Sequence, residues 1–376
     1  MEKSESLIEQ ERVAVKNRRR NIVHDLKTCF KCKGTPHLQY RNKLVVCKVC
    51  FKNSVVESHF RSTLRGYLQP KPTNVGKVLV LVSGGPSSTA LALMMGETVN
   101  CKSESKRKMF VEAEMLYVDE SIFYPEDKEM WDKNQERLRN LAERVELKLN
   151  YASISEKLKL DRTTAKELLD SCSDRGSSKE DVITLMRQTV IQDTAHKLGF
   201  KHLLVGENAL RVASNTLTAI VKGKGLWFES VSKEITLFIP GEPDLLVCRP
   251  LREFSSKEVY FYVHSNDLTK FTITRPHLTE FASIKVSNLP GKGNYTLVLD
   301  TFLEMLQKDF TSTIFTILKT SDRTKVGPTR PGTKCVMCRG LIEISEHGDC
   351  CYGCLKLAEH LHSEEYVKKF LTVNPE

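Results

Sequence analysis

Residues 77–95 restrict the fold more than any other segment: the β-branched run KVLVLV passes through SGGPSS directly into the apolar stretch TALALMM. A continuous apolar run, a turn with two glycines and a helix-forming stretch read as a buried strand, a tight turn and a buried helix. Further strand-like runs stand at AEMLYV (113–118), LKLNYA (147–152), HLLVG (202–206) and LLVCRP (245–250). Helical patterns lie between most of them, one from Pro125 to about Val145 and another from Asp181 to Leu198. In the second, Val182, Leu185, Met186, Thr189, Val190 and Ala195 share one face. Strands alternating with helices predict right-handed crossovers and an α/β fold with a mostly parallel sheet. Ligands of such sheets gather at the carboxyl ends of the strands, and SGGPSS is such an end. Beyond the sheet, Ser255 and Glu258 predict a capping box at the start of SSKEVYFYVHSND, and residues 290–320 predict a final helix and apolar segment.

Eight of the 12 cysteines fall into CxxC pairs. Cys29, Cys32, Cys47 and Cys50 form one quartet, and Cys335, Cys338, Cys351 and Cys354 a second. Each CxxC turn aims two sulfurs at one ion, and two turns complete the closed tetrahedral set of a structural zinc site. Four thiolates leave no position for water, so such a site folds its segment rather than catalyses. Two structural zinc ions are therefore expected. Cys350, beside Cys351, is an alternative ligand at the second quartet, and His24 and His37 are alternatives at the first. The organisation that follows is a basic arm over 1–28, a zinc-ribbon-like module over 29–70, the α/β domain over 71–326 and a C-terminal zinc module over 327–376. Pro70, Pro72 and GPTRPG (327–332) mark the joints.

The chain carries 57 Lys and Arg against 47 Asp and Glu, a net +10, which favours a polyanion or an acidic partner where the excess clusters. The candidate RNA contacts are Arg18, Arg19 and Arg20, then Lys222 and Lys224 beside Trp227 and Phe228, then Arg249 and Arg252 in CRPLREFSSKEV. Competing readings stand beside them: a solvated charged face for the arm, an ordered loop with buried aromatics for 222–228, and ordinary ion pairs for the two later arginines. The N-terminus is charged from the start, without the apolar core of a secretory signal. No run of about 18 apolar residues exists to span a bilayer. The expectation is a soluble cytoplasmic protein with no membrane partner.

The loop Ser83 to Ser88 is neither GxxxxGK nor GxGxxG. It reads as an anion cradle: Gly84 and Gly85 let the backbone approach a phosphate, Ser83, Ser87 and Ser88 offer hydroxyls, and the following helix turns its free amides to the same point. Set between strand and helix, SGGPSS resembles the SGGxDS signature of the PP-loop ATP pyrophosphatases. The stretch GENALRVASNTL (206–217) is similar to that family's second motif, GHNADDxAET. Cysteine-rich ends around such a core narrow the likeness to the family's tRNA-thiolating members, and the likeness covers nearly the whole chain. It implies a Rossmann-like PP-loop domain; in that family an adenylate forms on a carbonyl or base oxygen while pyrophosphate leaves through the loop.

The departures from the pattern bear on function. Ser87 stands where the family has aspartate, and Leu210 and Arg211 where it has paired acids. Carboxylates in such sites hold magnesium and orient the triphosphate. Pro86 has no N–H to offer the cradle, and ATP binding is in doubt. Thiolating relatives also carry a CxxC inside the sheet domain and a later cysteine that together hold an iron–sulfur cluster or sulfur intermediates. Here SCSDRG keeps Cys172 but has Arg175 in place of the second cysteine, and none lies between Cys248 and Cys335. No iron–sulfur cluster is expected. Cys172 reads as a relic or a reactive thiol, and Cys248 as a small core residue. The resemblance implies a non-catalytic subunit of the cytosolic complex that 2-thiolates the wobble uridine of tRNA. It would form a heterodimer with a catalytic PP-loop subunit, bind tRNA, and receive sulfur as the thiocarboxylate of a ubiquitin-related modifier. The alternatives are a working PP-loop enzyme that recruits metal through other residues, and a zinc-ribbon adaptor for RNA or protein without the ancestral reaction.

Overall fold

The computed structural model describes residues 27–40, 44–69, 75–101, 111–124, 127–172, 176–239, 245–273, 294–310, 312–324, 334–340 and 349–361. Arg18, Arg19, Arg20, His24, Pro70, Pro72, Pro125, Arg175 and GPTRPG lie outside the described residues. The chain divides into two compact units at His59 and Phe60, a little before the 70/71 joint read from the sequence.

In the first unit, β1 (Leu38–Tyr40) and β2 (Leu44–Val46) pair antiparallel, Leu38 opposite Val46. Cys47 then accepts from the Cys50 amide at the start of a short helix, which continues as a π-helical turn over Phe51–Glu57. Val46 and Phe51 are buried, and the Tyr40 ring meets Phe51 edge-on at 6.1 Å. With Leu38, Tyr40, Val55 and Val56 these form the apolar core among the described residues of this unit, a small one to which a metal held by the cysteine quartet would add folding free energy.

Helix α1 (Ser58–Leu68) leads into the second unit, where the Tyr67 hydroxyl donates to the Leu246 carbonyl at 2.7 Å. There follow β3 (Gly76–Leu81), α2 (Pro86–Val99), β4 (Val111–Asp119), α3 (Lys128–Val145), β5 (Lys148–Ser153), α4 (Arg162–Asp170), α5 (Gly176–Lys197), β6 (His202–Val205), α6 (Ala209–Val221), β7 (Ile235–Leu237), β8 (Leu246–Cys248) and α7 (Ser256–Ser265). The strands form one sheet in the order β5-β4-β3-β6-β8-β7. Every pairing is parallel except that of β7 with β8 at the edge. Val78, Leu79 and Val80 are all fully buried, as a strand covered by helices on both faces must be. The crossovers run outward from β3 to β4 and β5, then return to place β6 on the other side of β3, so the switch point lies between β3 and β6.

The capping box forms as expected: Ser255 accepts from the Glu258 amide, and the Glu258 carboxylate accepts from the Ser255 amide at 2.7 Å. Residues 290–320 hold two helices rather than one, α8 (Tyr295–Asp309) and α9 (Thr313–Arg323), separated at Phe310. Leu303 of α8 and Ile314 and Leu318 of α9 pack on Ala209, Val212 and Ala213 of α6. Helix α10 (Tyr352–His360) follows the last cysteine pair. Cys335, Cys338, Cys354 and Leu357 share one core cluster with Leu79, Met186, Leu203 and Val247, so the second quartet is part of the core of the α/β unit. Among the described residues no helix is long and apolar enough to cross a membrane.

Candidate functional site

The loop after β3 has the backbone of a cradle. Gly84 takes a left-handed φ of +81°, and a side chain there would run into Ile273, whose amide donates to the Gly84 carbonyl at 2.9 Å. Gly85 caps α2 and Pro86 occupies its first turn, a position where the missing N–H removes no helical bond. The Ser88 hydroxyl donates to the Gly85 carbonyl at 3.0 Å, and the Ser83 hydroxyl lies 3.3 Å from it. At the end of β6, a Cβ on Gly206 would stand 2.7 Å from the Ser88 backbone. Gly206 thus brings the second motif against the first at the switch point, a role its place in GENALR does not by itself announce.

Ser87, Leu210 and Arg211, the positions that align with acids of the PP-loop signatures, have other partners. Asn208 caps α6 through the Arg211 amide at 3.0 Å, while its side-chain amide reaches Ser256 at 3.2 Å and Ser87 at 3.5 Å. Leu210 packs against the cluster that α6 forms with α8 and α9. The Arg211 guanidinium pairs with Asp300 of α8 at 3.2 Å. No carboxylate stands at any of these three positions.

Beneath the loop lies a cavity of about 560 Å³, bounded by Ser83, Ser88, Gly206, Glu120, Asp181, Lys224 and Cys338 among others. Most of its charges are already paired. Glu120 holds Arg187 through two bonds, with Nη2 to Oε2 at 3.1 Å; burial works against this guanidinium's charge, and the facing carboxylate more than restores it. Asp181 accepts from Lys222 and from Lys224, each at 3.1 Å. Glu207 takes Arg249 and the Asn215 amide. Glu180 differs, with Oε2 buried and without a hydrogen-bond partner among the described residues.

The later basic residues read as candidate RNA contacts have internal partners, as the competing readings of an ordered loop and ordinary ion pairs expect. Arg249 is buried and donates to Ser230 and Lys233 carbonyls at 2.7 and 3.1 Å. Arg252 is buried and donates to the Ser232 carbonyl at 2.6 Å and to Asp322 at 2.8 Å. Lys222 and Lys224 turn inward to Asp181, and Trp227 and Phe228 are buried, which is the ordered-loop alternative. A buried cation without partners is strongly disfavoured, so each has collected internal acceptors. Cys172 is buried, and burial pushes its thiol up to about 11, which makes it the inert thiol of the two readings. Burial raises Cys248 likewise, in the core.

Both cysteine quartets assemble. In each, all four sulfurs lie within 4.8 Å of one another, with Cys32 and Cys47 at 3.6 Å and Cys338 and Cys351 at 3.8 Å. Cys351, and not Cys350, completes the second set, and no histidine joins either among the described residues. The two first knuckles have the same backbone. Cys29 N donates to Gly34 O and Cys335 N to Gly340 O, while Lys33 and Arg339 donate back to Cys29 and Cys335 and both take left-handed φ, 63° and 59°. The pattern CxxCxG, present as CFKCKG and CVMCRG, is the signal that spacing of cysteines alone passes over. Four convergent sulfurs with this turn are a donor set that fits a metal.

No family model matches the chain. Its sequence is similar to cytoplasmic tRNA 2-thiolation protein 2 of Dictyostelium discoideum, 22% identical over 302 residues, covering 77% of this chain and 53% of the relative. The protein of the same name from Drosophila mojavensis is 27% identical over 339 residues, covering 86% of this chain and 78% of the relative. The chain thus spans about half the length of the first of these relatives and about four-fifths of the second. In fold it is similar to the U34-tRNA thiolase NcsA of Methanococcus maripaludis, solved with its 4Fe-4S cluster, at a TM-score of 0.61 and 18% identity over 88% of this chain and 96% of that one. The likeness read from SGGPSS and GENALR is borne out in sequence over most of the chain, and in fold.

Proposed function

We propose that the chain is a non-catalytic subunit of the cytoplasmic complex that 2-thiolates the wobble uridine of tRNAs for Lys, Glu and Gln. The observation that carries this reading is the use made of the acid positions: Leu210 and Arg211 tie α6 to α8 and α9, and Ser87 meets Asn208. A magnesium triphosphate needs anionic oxygen at such points. Chemistry therefore belongs to a catalytic PP-loop partner, which would adenylate the uridine and receive sulfur as the thiocarboxylate of a ubiquitin-related modifier. Zinc is the metal we assign to each quartet. A tetrahedron of sulfurs about 2.3 Å from one ion sets them about 3.8 Å apart, as Cys338 and Cys351 are, whereas a four-iron cluster spreads its cysteines over separate irons.

Support for a partner comes also from α8, which leaves Tyr295, Val298, Phe302 and Met305 exposed at the i, i+3, i+7, i+10 spacing of a helix-packing face. The net +10 of the chain suits a complex that holds tRNA. The reading is tested by co-purification joined to turnover assays. An active PP-loop partner together with an inert isolated chain is the expected result. Pyrophosphate release by the isolated chain, dependent on Ser83 to Gly85, would instead support a working enzyme, for which Glu180, whose buried Oε2 has no hydrogen-bond partner among the described residues, is the metal-recruiting candidate.

A further inference from the structure

The second cysteine centre differs from the first in its surroundings. At the first centre Cys29 is buried, Cys47 and Cys50 are half-buried and Cys32 is exposed, whereas at the second Cys335, Cys338 and Cys354 are buried and Cys351 is half-buried. Four thiolates around a divalent ion carry a net charge of roughly −2. Water screens such a charge at the first centre. At the second it stands in the core, where uncompensated charge is strongly disfavoured.

The compensation is at hand in the turn that follows α6. Gly223, with φ +66°, leaves so little room that a Cβ there would lie 2.4 Å from the Tyr352 ring. A Cβ on Gly353, between the ligands Cys351 and Cys354, would lie 2.6 Å from the Lys224 stem. The turn KGKG is thus seated on the CYGC knuckle by two glycines facing each other's neighbours. Lys224 then extends into the cavity that Cys338 and Cys354 also line, and Asp181 fixes both it and Lys222 through one oxygen at 3.1 Å each. Two lysines against one aspartate leave one positive charge. Arg339 supplies another beside Cys338, its Nη1 bonded to Gln192 at 2.7 Å and its buried Nε without a hydrogen-bond partner among the described residues.

We propose that Lys224, positioned by Asp181, is the outer-sphere counter-charge of the C-terminal cysteine centre, and that this pairing makes the centre a wall of the central cavity. The assignment is independent of tRNA thiolation. It also accounts for a basic pair that has no place on the surface.

The test compares full-length wild-type chain with Lys224→Gln, which keeps the inner part of the stem and a polar N–H end but removes the charge, and with Lys224→Arg, which restores it. Metal is withdrawn by a competing chromophoric chelator, and the N-terminal phase is identified as the one missing in Cys32→Ser. Lys224→Gln is expected to weaken the C-terminal phase by about 10- to 100-fold, leave the N-terminal phase unchanged, and recover in Lys224→Arg. In cobalt-substituted protein, the sulfur-to-cobalt charge-transfer band of Lys224→Gln should move to lower energy, a signature that loss of stability alone does not produce. If that variant does not fold, Asp181→Asn is read by the same band, with the opposite shift expected. An unmoved band, or equal chelator competition in wild type and Lys224→Gln, would overturn the proposal.

Discussion

Arg211 occupies an acid's place in the motif and answers to an acid elsewhere, Asp300. Its replacement by aspartate sets two carboxylates face to face across α6 and α8. Because the pair is half-exposed, we expect a loss of only about 0–1 kcal/mol, read from the denaturant midpoint, and no pyrophosphate release even when combined with Ser87→Asp. Turnover in that double variant would show that the scaffold had kept a competent site. Cys172 gives a second expectation at this scale. With its thiol pushed up to about 11 by burial, it is protonated at pH 8 and should resist iodoacetamide in the folded chain while Cys101, half-exposed, reacts. That Ser87, Leu210 and Arg211 offer no carboxylate was legible in the sequence. The destinations of Arg249, Arg252, Lys222 and Lys224 were not, since a linear reading shows that a residue is charged but not which buried carbonyls and carboxylates the fold will bring to it.

Elements with a strong period were legible in advance, because a strand covered on both faces must be continuously apolar, as Val78 to Val80 are. The edge strand β7 has three residues, ITL, too few to show any period, and α8 and α9 read as one segment because both are amphipathic and only residues 310–312 separate them. The contact between motifs was hidden for a different reason: Gly206 matters through the backbone of Ser88, more than a hundred residues away, and sequence has no sign for a close approach. Replacing Gly206 with alanine should force β6 from the start of α2 and destabilise the α/β unit by about 1–3 kcal/mol, measured by denaturant unfolding; an unchanged midpoint would mean that the loop shifts freely. On the outer face of α8, Phe302→Glu with Met305→Glu should leave the fold intact and reduce recovery of the PP-loop partner. Retention of the partner at wild-type levels would place the interface elsewhere.

For the whole molecule, the large sheet and the two cysteine centres divide the tasks of holding and presenting. The first unit should lose structure locally on chelation, whereas loss of the second metal should loosen the α/β core that its quartet joins; elemental analysis should find about two zinc ions per chain. Nothing in this arrangement depends on carboxylates at Ser87, Leu210 and Arg211, so the fold does not require a reaction at the loop. The consequence belongs in cells rather than in the isolated protein. Depletion of the chain should abolish wobble 2-thiouridine, scored by mass spectrometry of tRNA nucleosides with other modifications as controls. Re-expression of Cys172→Ala should restore it, since that thiol is buried and its ionisation is opposed by burial. Re-expression of Cys335→Ser should not, because the second quartet is part of the core that closes the cavity. Thiolation that survives complete depletion would remove the chain from the complex, and failure of Cys172→Ala to rescue, with the protein stably present, would return that thiol to the chemistry.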